Sequence, residues 1–216
     1  HRPLDAALSP GRQRRVGALV LQRQPVNPVP DDVRFRGLLE LIRTDDLGNL
    51  AWSAEAERFR ARAGRMVSLE PGWPRFDRAG LVAELESWLG PYLVSITRLP
   101  ELAKVDLAAA LRSRLTHAQQ AQLDRSLPEH VTVPSGARVR IDYTRDPPVL
   151  AVKLQEMFGS RETPRLADGR VPLVIHLLSP AGRPLQVTQD LASFWSNGYS
   201  DVRREMRGRY PRHSCP

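Results

Sequence analysis

The sequence predicts an α+β fold: a helical first half followed by a small mixed, mostly antiparallel sheet with short helices. Three observations lead there. Apolar residues recur at helical spacing through much of residues 28–127, the period shifts to strict alternation near residue 137, and Pro/Gly turn signals then separate short strands from short helices.

Residues 16–21 read as one strand, which cannot hide a face alone, and Pro25, Pro28 and Pro30 mark an extended spacer. Asp31 and Asp32 then open a helix whose Phe35, Leu38, Leu39 and Ile42 form one stripe. Ser53 is placed to cap a second helix with Ala56, Phe59, Ala63, Met66 and Val67 on one face. Its charges, Glu55, Glu57, Arg58, Arg60 and Arg62, are expected to be solvated. Asp77 caps a third helix, in which Leu81, Val82, Leu85, Trp88 and Leu89 point one way before Gly90 and Pro91 stop it. Leu102, Val105, Leu107, Leu111 and Leu115 continue the pattern, and Thr116 with Gln119 makes a capping box. Trp52, Trp73 and Trp88 adjoin these stripes and read as core anchors.

In the second half Val139, Ile141 and Tyr143 alternate with Arg138, Arg140 and Asp142, as a half-buried strand requires. Pro147 and Pro148 precede a second strand, VLAVKL, which leads into the amphipathic LQEMFG. VPLVIHLL is continuously apolar and reads as an interior strand, with His176 a core histidine. SPAGRP turns the chain into LQVT, and Asp190 caps the helix LASFWSN. The implied organisation is a terminal strand and linker over 1–27, a helical region over 28–127 and an α+β domain over 128–216.

The formal net charge of +8 favours acidic partners through long-range attraction. Lys104 and Lys153 are the only lysines, so arginine carries nearly all of the positive charge. Cys215 is the single cysteine, which excludes an internal disulfide and fits a reducing, cytoplasmic setting. No apolar run reaches the roughly 20 residues a membrane span needs. A chain that begins at His1 reads as the C-terminal piece of something longer.

Reaction chemistry is not visible. There is no G-x-x-x-x-G-K-[ST] phosphate loop, no G-x-S-x-G elbow and no H-E-x-x-H, and the five histidines lack metal-ligand spacing. No cofactor or metal site is therefore expected in this chain. His213 and Cys215 sit at a chain end, and the neighbours Glu129 and His130 would point to opposite faces of a strand. What the sequence does offer is a basic tail, in which Arg203, Arg204, Arg207, Arg209 and Arg212 face only Asp201 and Glu205. Residues 203 and 207 fall on one side of a helix. Guanidinium forks bind phosphates bidentately, and nearby aromatics, Trp195 above all, can stack on unpaired bases. Arg138, Arg140, Lys153 and Arg183 would extend that surface toward a single strand of RNA or DNA.

The runs VPSGARVRIDY, PPVLAVKLQEMFG, PLVIHLLSPAGRPLQVTQDLASFW and YSDVRREMRGRYPRH, in that order, resemble the C-terminal region of the HrpB-type ATP-dependent helicases, bacterial DExH-box proteins. RRVGALVL and LPELAKVDLAAALRSRL are similar to the preceding family segments. The resemblance implies an accessory part of a nucleic-acid-stimulated ATPase. Its RecA-like motor domains, which use ATP and magnesium, would lie upstream and be partners of this piece. Residues 16–21 would close an OB-like domain. The chain departs from the family pattern at Ser214 and Cys215, where a proline and a tryptophan are typical. The competing expectation is a scaffold that packs on the motor and spends its arginines on internal pairs with Glu156, Glu162 or Glu205.

Overall fold

The computed structural model describes residues 30–209; the expected strand at 16–21 and the residues after 209 lie outside them. The helical half comprises α1 (Asp31–Thr44), α2 (Ala54–Gly64), α3 (Arg78–Ala83), α4 (Leu85–Leu93), α5 (Leu107–Arg112) and α6 (His117–Ser126), with 3₁₀ turns at Arg65–Ser68 and Leu99–Lys104. Five strands follow: β1 (His130–Thr132), β2 (Arg138–Asp142), β3 (Val149–Lys153), β4 (Val174–Leu178) and β5 (Pro184–Thr188). The described chain ends in α7 (Leu191–Ser193), a π-turn (Phe194–Gly198) and α8 (Tyr199–Arg209). This is the α+β order the sequence predicts.

The helix starts are set by local chemistry. Ser53 accepts from the Ala56 amide, Asp77 from Gly80, Asp106 from Ala109 and Asp190 from Ser193, each satisfying a donor that the first helical turn leaves open. At α6 the capping box is complete: Gln119 N donates to Thr116 Oγ1 at 3.2 Å and Thr116 N to Gln119 Oε1 at 2.9 Å. Glu101 does similar work ahead of α5, its Oε2 accepting the amides of Thr97 (2.8 Å) and Arg98 (3.2 Å). Those backbone hydrogen bonds stabilise the ionised form and pull its pKa from 4.5 to about 2.

Three helical expectations need correction. The third helix does not stop at Gly90 and Pro91; it breaks earlier, at Glu84 (φ −110°, ψ 23°), and α4 runs on through Pro91 to Leu93. Burial of Leu93 favours the extra turn, and the Trp88 indole spans the break by donating to the Leu81 carbonyl at 2.9 Å. A side chain at position 90 would reach to 3.2 Å from the Phe35 ring, so Gly90 lets α1 and α4 come close. Val67 is exposed, because the switch to three residues per turn at Arg65–Ser68 rotates it off the buried face. Arg62, expected in solvent with the other α2 charges, is only 4% exposed.

Arg62 reaches across to the start of the sheet. Its Nε donates to the Leu127 carbonyl, one Nη to Asp124 at 2.6 Å and the other to Glu129 at 3.3 Å. One turn later Arg65 donates to the Tyr143 carbonyl at 3.1 Å and also to the Arg145 carbonyl and Asp146. From the other side, Arg170 donates to the Leu69 carbonyl at 3.3 Å and pairs with Glu70 at 3.8 Å. The phenol of Tyr143 donates to the Pro128 carbonyl at 2.7 Å, and burial raises its pKa well above the usual range.

The strands lie in the order β1-β2-β3-β4-β5, all pairs antiparallel except β3–β4, which is parallel. The parallel step needs the crossover through residues 154–173. Ile141, Leu150, Val152, Ile175 and Leu177 are buried on one face, and together with the helix stripes they belong to one hydrophobic cluster extending from Leu38 to Met206. The opposite face stays open: Ala151, Lys153, Arg138 and Arg140 are exposed, and so is Val187. His176 is on this open face between Ala151 and Val187 and is half-buried, so it is not the core histidine expected from its apolar neighbours. β1 has no place among the expected strands beyond the strand geometry assumed for Glu129 and His130.

Two outcomes follow. Replacing Arg62 with methionine should lower unfolding stability by about 2–4 kcal/mol in a denaturant titration, since the Leu127 carbonyl and two carboxylates lose their donor; lysine should not rescue it, having no planar fork. The Glu101 carboxyl, followed by NMR, should titrate at about 2. Its folded value lies below the unfolded one, so the stability it contributes is present above pH 4.5 and lost as pH falls through about 2.

Candidate nucleic-acid interface

The expected phosphate-contacting residues fall on two surfaces. Strand register assembles the first. Lys153 pairs with Leu178, and Leu178 with Pro184, so Lys153 ends its strand where Arg183 ends the β4–β5 turn. β2 pairs its far end, Asp142, with Val149, which leaves Arg138 at the same end as Lys153. Arg138, Arg140 and Lys153 stand on the open face, all exposed, with Arg183 exposed in the turn. That turn is held by Ser179 N donating to the Arg183 carbonyl at 2.8 Å, and Gly182 (φ +77°) supplies its left-handed residue. Of these four cations only Arg140 has a carboxylate near it among the described residues, Glu129 at 3.9 Å.

The second surface is α8. Val202 and Met206 anchor it in the core four residues apart. Arg203 and Arg207 share one side, as the spacing predicts, and neither has an ion-pair partner among the described residues; the Nε of Arg203 is buried without a hydrogen bond. Arg204 pairs with Asp201 at 3.6 Å and Arg209 with Glu205 at 3.1 Å, which removes part of the expected positive ridge. Glu156 and Glu162, the other carboxylates that could have neutralised arginines, form no ion pair among the described residues. Arg212 lies outside those residues.

Trp195 sits between the two surfaces in sequence, in the π-turn. It is half-buried against Phe194 (4.9 Å between centroids), Tyr199 (5.2 Å) and Phe158 (6.0 Å), while Phe194 is buried in the core. A Cβ at Gly198 would lie 3.1 Å from the Phe194 ring, so glycine there lets the widened turn close over that ring. Trp195 thus spends much of its surface on protein aromatics, and its Nε1 is buried with no hydrogen-bond partner among the described residues.

Sequence reasoning missed a third concentration of charge. Arg58, Arg62, Arg112 and Arg140, with Glu55 and Glu129, line a cleft between α2, α5 and β2. The i, i+4 spacing of Arg58 and Arg62 was a signal, but Arg112 and Arg140 join it only through tertiary packing. Among the described residues no group of three His, Cys, Asp or Glu side chains is placed to hold a metal, and no helix is long and apolar enough to cross a membrane.

The family model described as ATP-dependent helicase C-terminal, HrpB_C, matches residues 88–216. The chain belongs to that family. It is 44% identical to the ATP-dependent RNA helicase HrpB of Escherichia coli K12, an alignment covering 98% of this chain and 27% of the relative. A crystal structure of the E. coli DExH-box NTPase HrpB is similar at TM-score 0.84 and 45% identity, over 89% of this chain and 24% of that one. A second, of the E. coli DEAH/RHA helicase HrpB, gives 0.75 and 44% over 89% and 25%. The chain therefore spans about a quarter of the length of the relatives it matches.

Proposed function

We propose that this chain is the accessory C-terminal region of an ATP-dependent DExH-box helicase and that it holds single-stranded RNA or DNA delivered by upstream RecA-like motor domains, where ATP and magnesium would act. Family membership supports the first part. The observation that carries the second is the pair Arg203 and Arg207: two guanidiniums one helical turn apart on a surface helix, without carboxylates among the described residues while their neighbours Arg204 and Arg209 are paired. Arginines without carboxylates among the described residues are poised for phosphate, and the exposed cations at the Lys153 end of the sheet would provide further contacts.

A scaffold role is the second reading, favoured by the ion pairs Arg204–Asp201 and Arg209–Glu205 and by the arginines spent on internal ties. On that reading the open sheet face and α8 pack on the motor and bind no strand.

Fluorescence anisotropy with labelled single-stranded RNA separates the two. Binding should weaken with salt, at a log–log slope of about −0.7 per phosphate contact. The double variant Arg203→Ala, Arg207→Ala should bind more weakly and flatten that slope by roughly 1.4. Binding that ignores both salt and these substitutions would overturn the strand-holding reading.

A further inference from the structure

The arginine-lined cleft has a volume of about 210 Å³ and brings four guanidiniums together with two carboxylates. Three of the arginines are engaged. Arg62 is held by Asp124, Glu129 and the Leu127 carbonyl. Arg112 lies 2.6 Å from Glu55 and stacks over the Phe59 ring at 5.3 Å, and Arg140 is 3.9 Å from Glu129. Arg58 is the exception: it has no ion pair or hydrogen bond among the described residues, and its Nε is shut off from solvent. A guanidinium nitrogen withdrawn from water without an acceptor costs free energy, and folded proteins rarely leave such a group unmet.

We propose that this cleft is a phosphate site with Arg58 as its principal ligand. Charge points to an anion: the four guanidiniums face Glu55 and Glu129, and Asp124, 2.6 Å from Arg62 though 70% exposed, offsets one more, so the cluster keeps a positive excess centred on Arg58. A guanidinium fork binds phosphate oxygens bidentately, and a phosphate monoester or free phosphate, carrying about −1.5 to −2 at neutral pH, is drawn to that excess more strongly than a singly charged carboxylate or internal phosphodiester. Arg112 and Arg140 each have donors beyond those used on their glutamates, since a guanidinium carries five N–H groups. Size agrees. A cleft of about 210 Å³ has room for a phosphate group. Inorganic phosphate and the terminal phosphate of a polynucleotide share this chemistry. The inference does not rest on strand binding by α8.

The test is titration of the 216-residue chain with inorganic phosphate at constant ionic strength, read by calorimetry and thermal unfolding, together with tungstate soaked into crystals as an electron-dense phosphate analogue. The expected result is saturable binding, tungstate density at Arg58, and an affinity at least about tenfold lower in Arg58→Gln. Without phosphate, Arg58→Gln and Arg58→Met should keep or raise Tm, because they remove a buried Nε–H that has no acceptor among the described residues. Competition by 5′-phosphorylated but not 5′-hydroxyl oligonucleotides would identify a strand end as the source, and competition by neither would identify the free ion. The proposal is overturned if phosphate binds no more tightly than about 1 mM, if Arg58→Gln binds it unchanged, or if both Arg58 variants unfold at lower temperature in its absence. Loss of RNA binding on changing Arg203 and Arg207 leaves these readouts unaffected.

Discussion

A buried guanidinium is tolerated only when its donors are met, and Arg62 meets them with acceptors that all lie more than sixty positions along the chain. Asp124 closes α6, Leu127 begins the link and Glu129 precedes β1. Because the fork is planar and rigid, satisfying all three at once fixes the junction between helices and sheet in orientation as well as position. Its carboxylate partners are partly in water, at 70% and 43% exposure, so the Coulombic gain is modest; the dependence lies in the buried cation, which has no alternative solvation if the junction moves. Arg65 then fixes the β2–β3 connection from the same helical segment, and Arg170 fixes the crossover before β4. The shared hydrophobic cluster supplies the bulk of the burial, and these arginines decide where the sheet sits against the helices.

That use of arginine changes how the positive charge should be understood. A net +8 suggests a surface coated in free cations. In the folded chain, Arg62, Arg65, Arg112, Arg114 and Arg170 are committed to internal carboxylates or carbonyls. Among the described residues, the cations left without carboxylates include Arg58 in its cleft, Arg138, Lys153 and Arg183 at one end of the sheet, and Arg203 and Arg207 on α8. Function is therefore sought in the residue left over after structural pairing rather than in the total.

Legibility in the sequence followed locality. Ser53, Asp77, Thr116 with Gln119, and Asp190 could be read as caps because the donor and acceptor are three residues apart, and the alternation of β2 could be read because its own side chains carry it. β1 is three residues long and exists through its pairing with Arg138–Arg140, which no local pattern announces. The run of α4 past Pro91 follows from burial of Leu93, a tertiary term that outweighs the helix-breaking tendency of proline. Of the α8 charges, the count of arginines was visible, but which ones Asp201 and Glu205 neutralise depends on helix geometry. The cleft was out of reach, since Arg58, Arg112 and Arg140 come from three separate elements. The family resemblance, carried by whole runs of sequence, was legible where spacing alone was silent.

If the arginine ties and the common core weld helices and sheet together, the two halves should open as one. Native-state hydrogen exchange at low denaturant measures this directly, comparing amides of Ile42 and Leu89 in the helices with those of Ile175 and Leu177 in the sheet. A single opening free energy with the same denaturant dependence at all four positions is the predicted result. Sheet amides that exchange through a separate, lower-energy opening while the helical amides stay protected would contradict it.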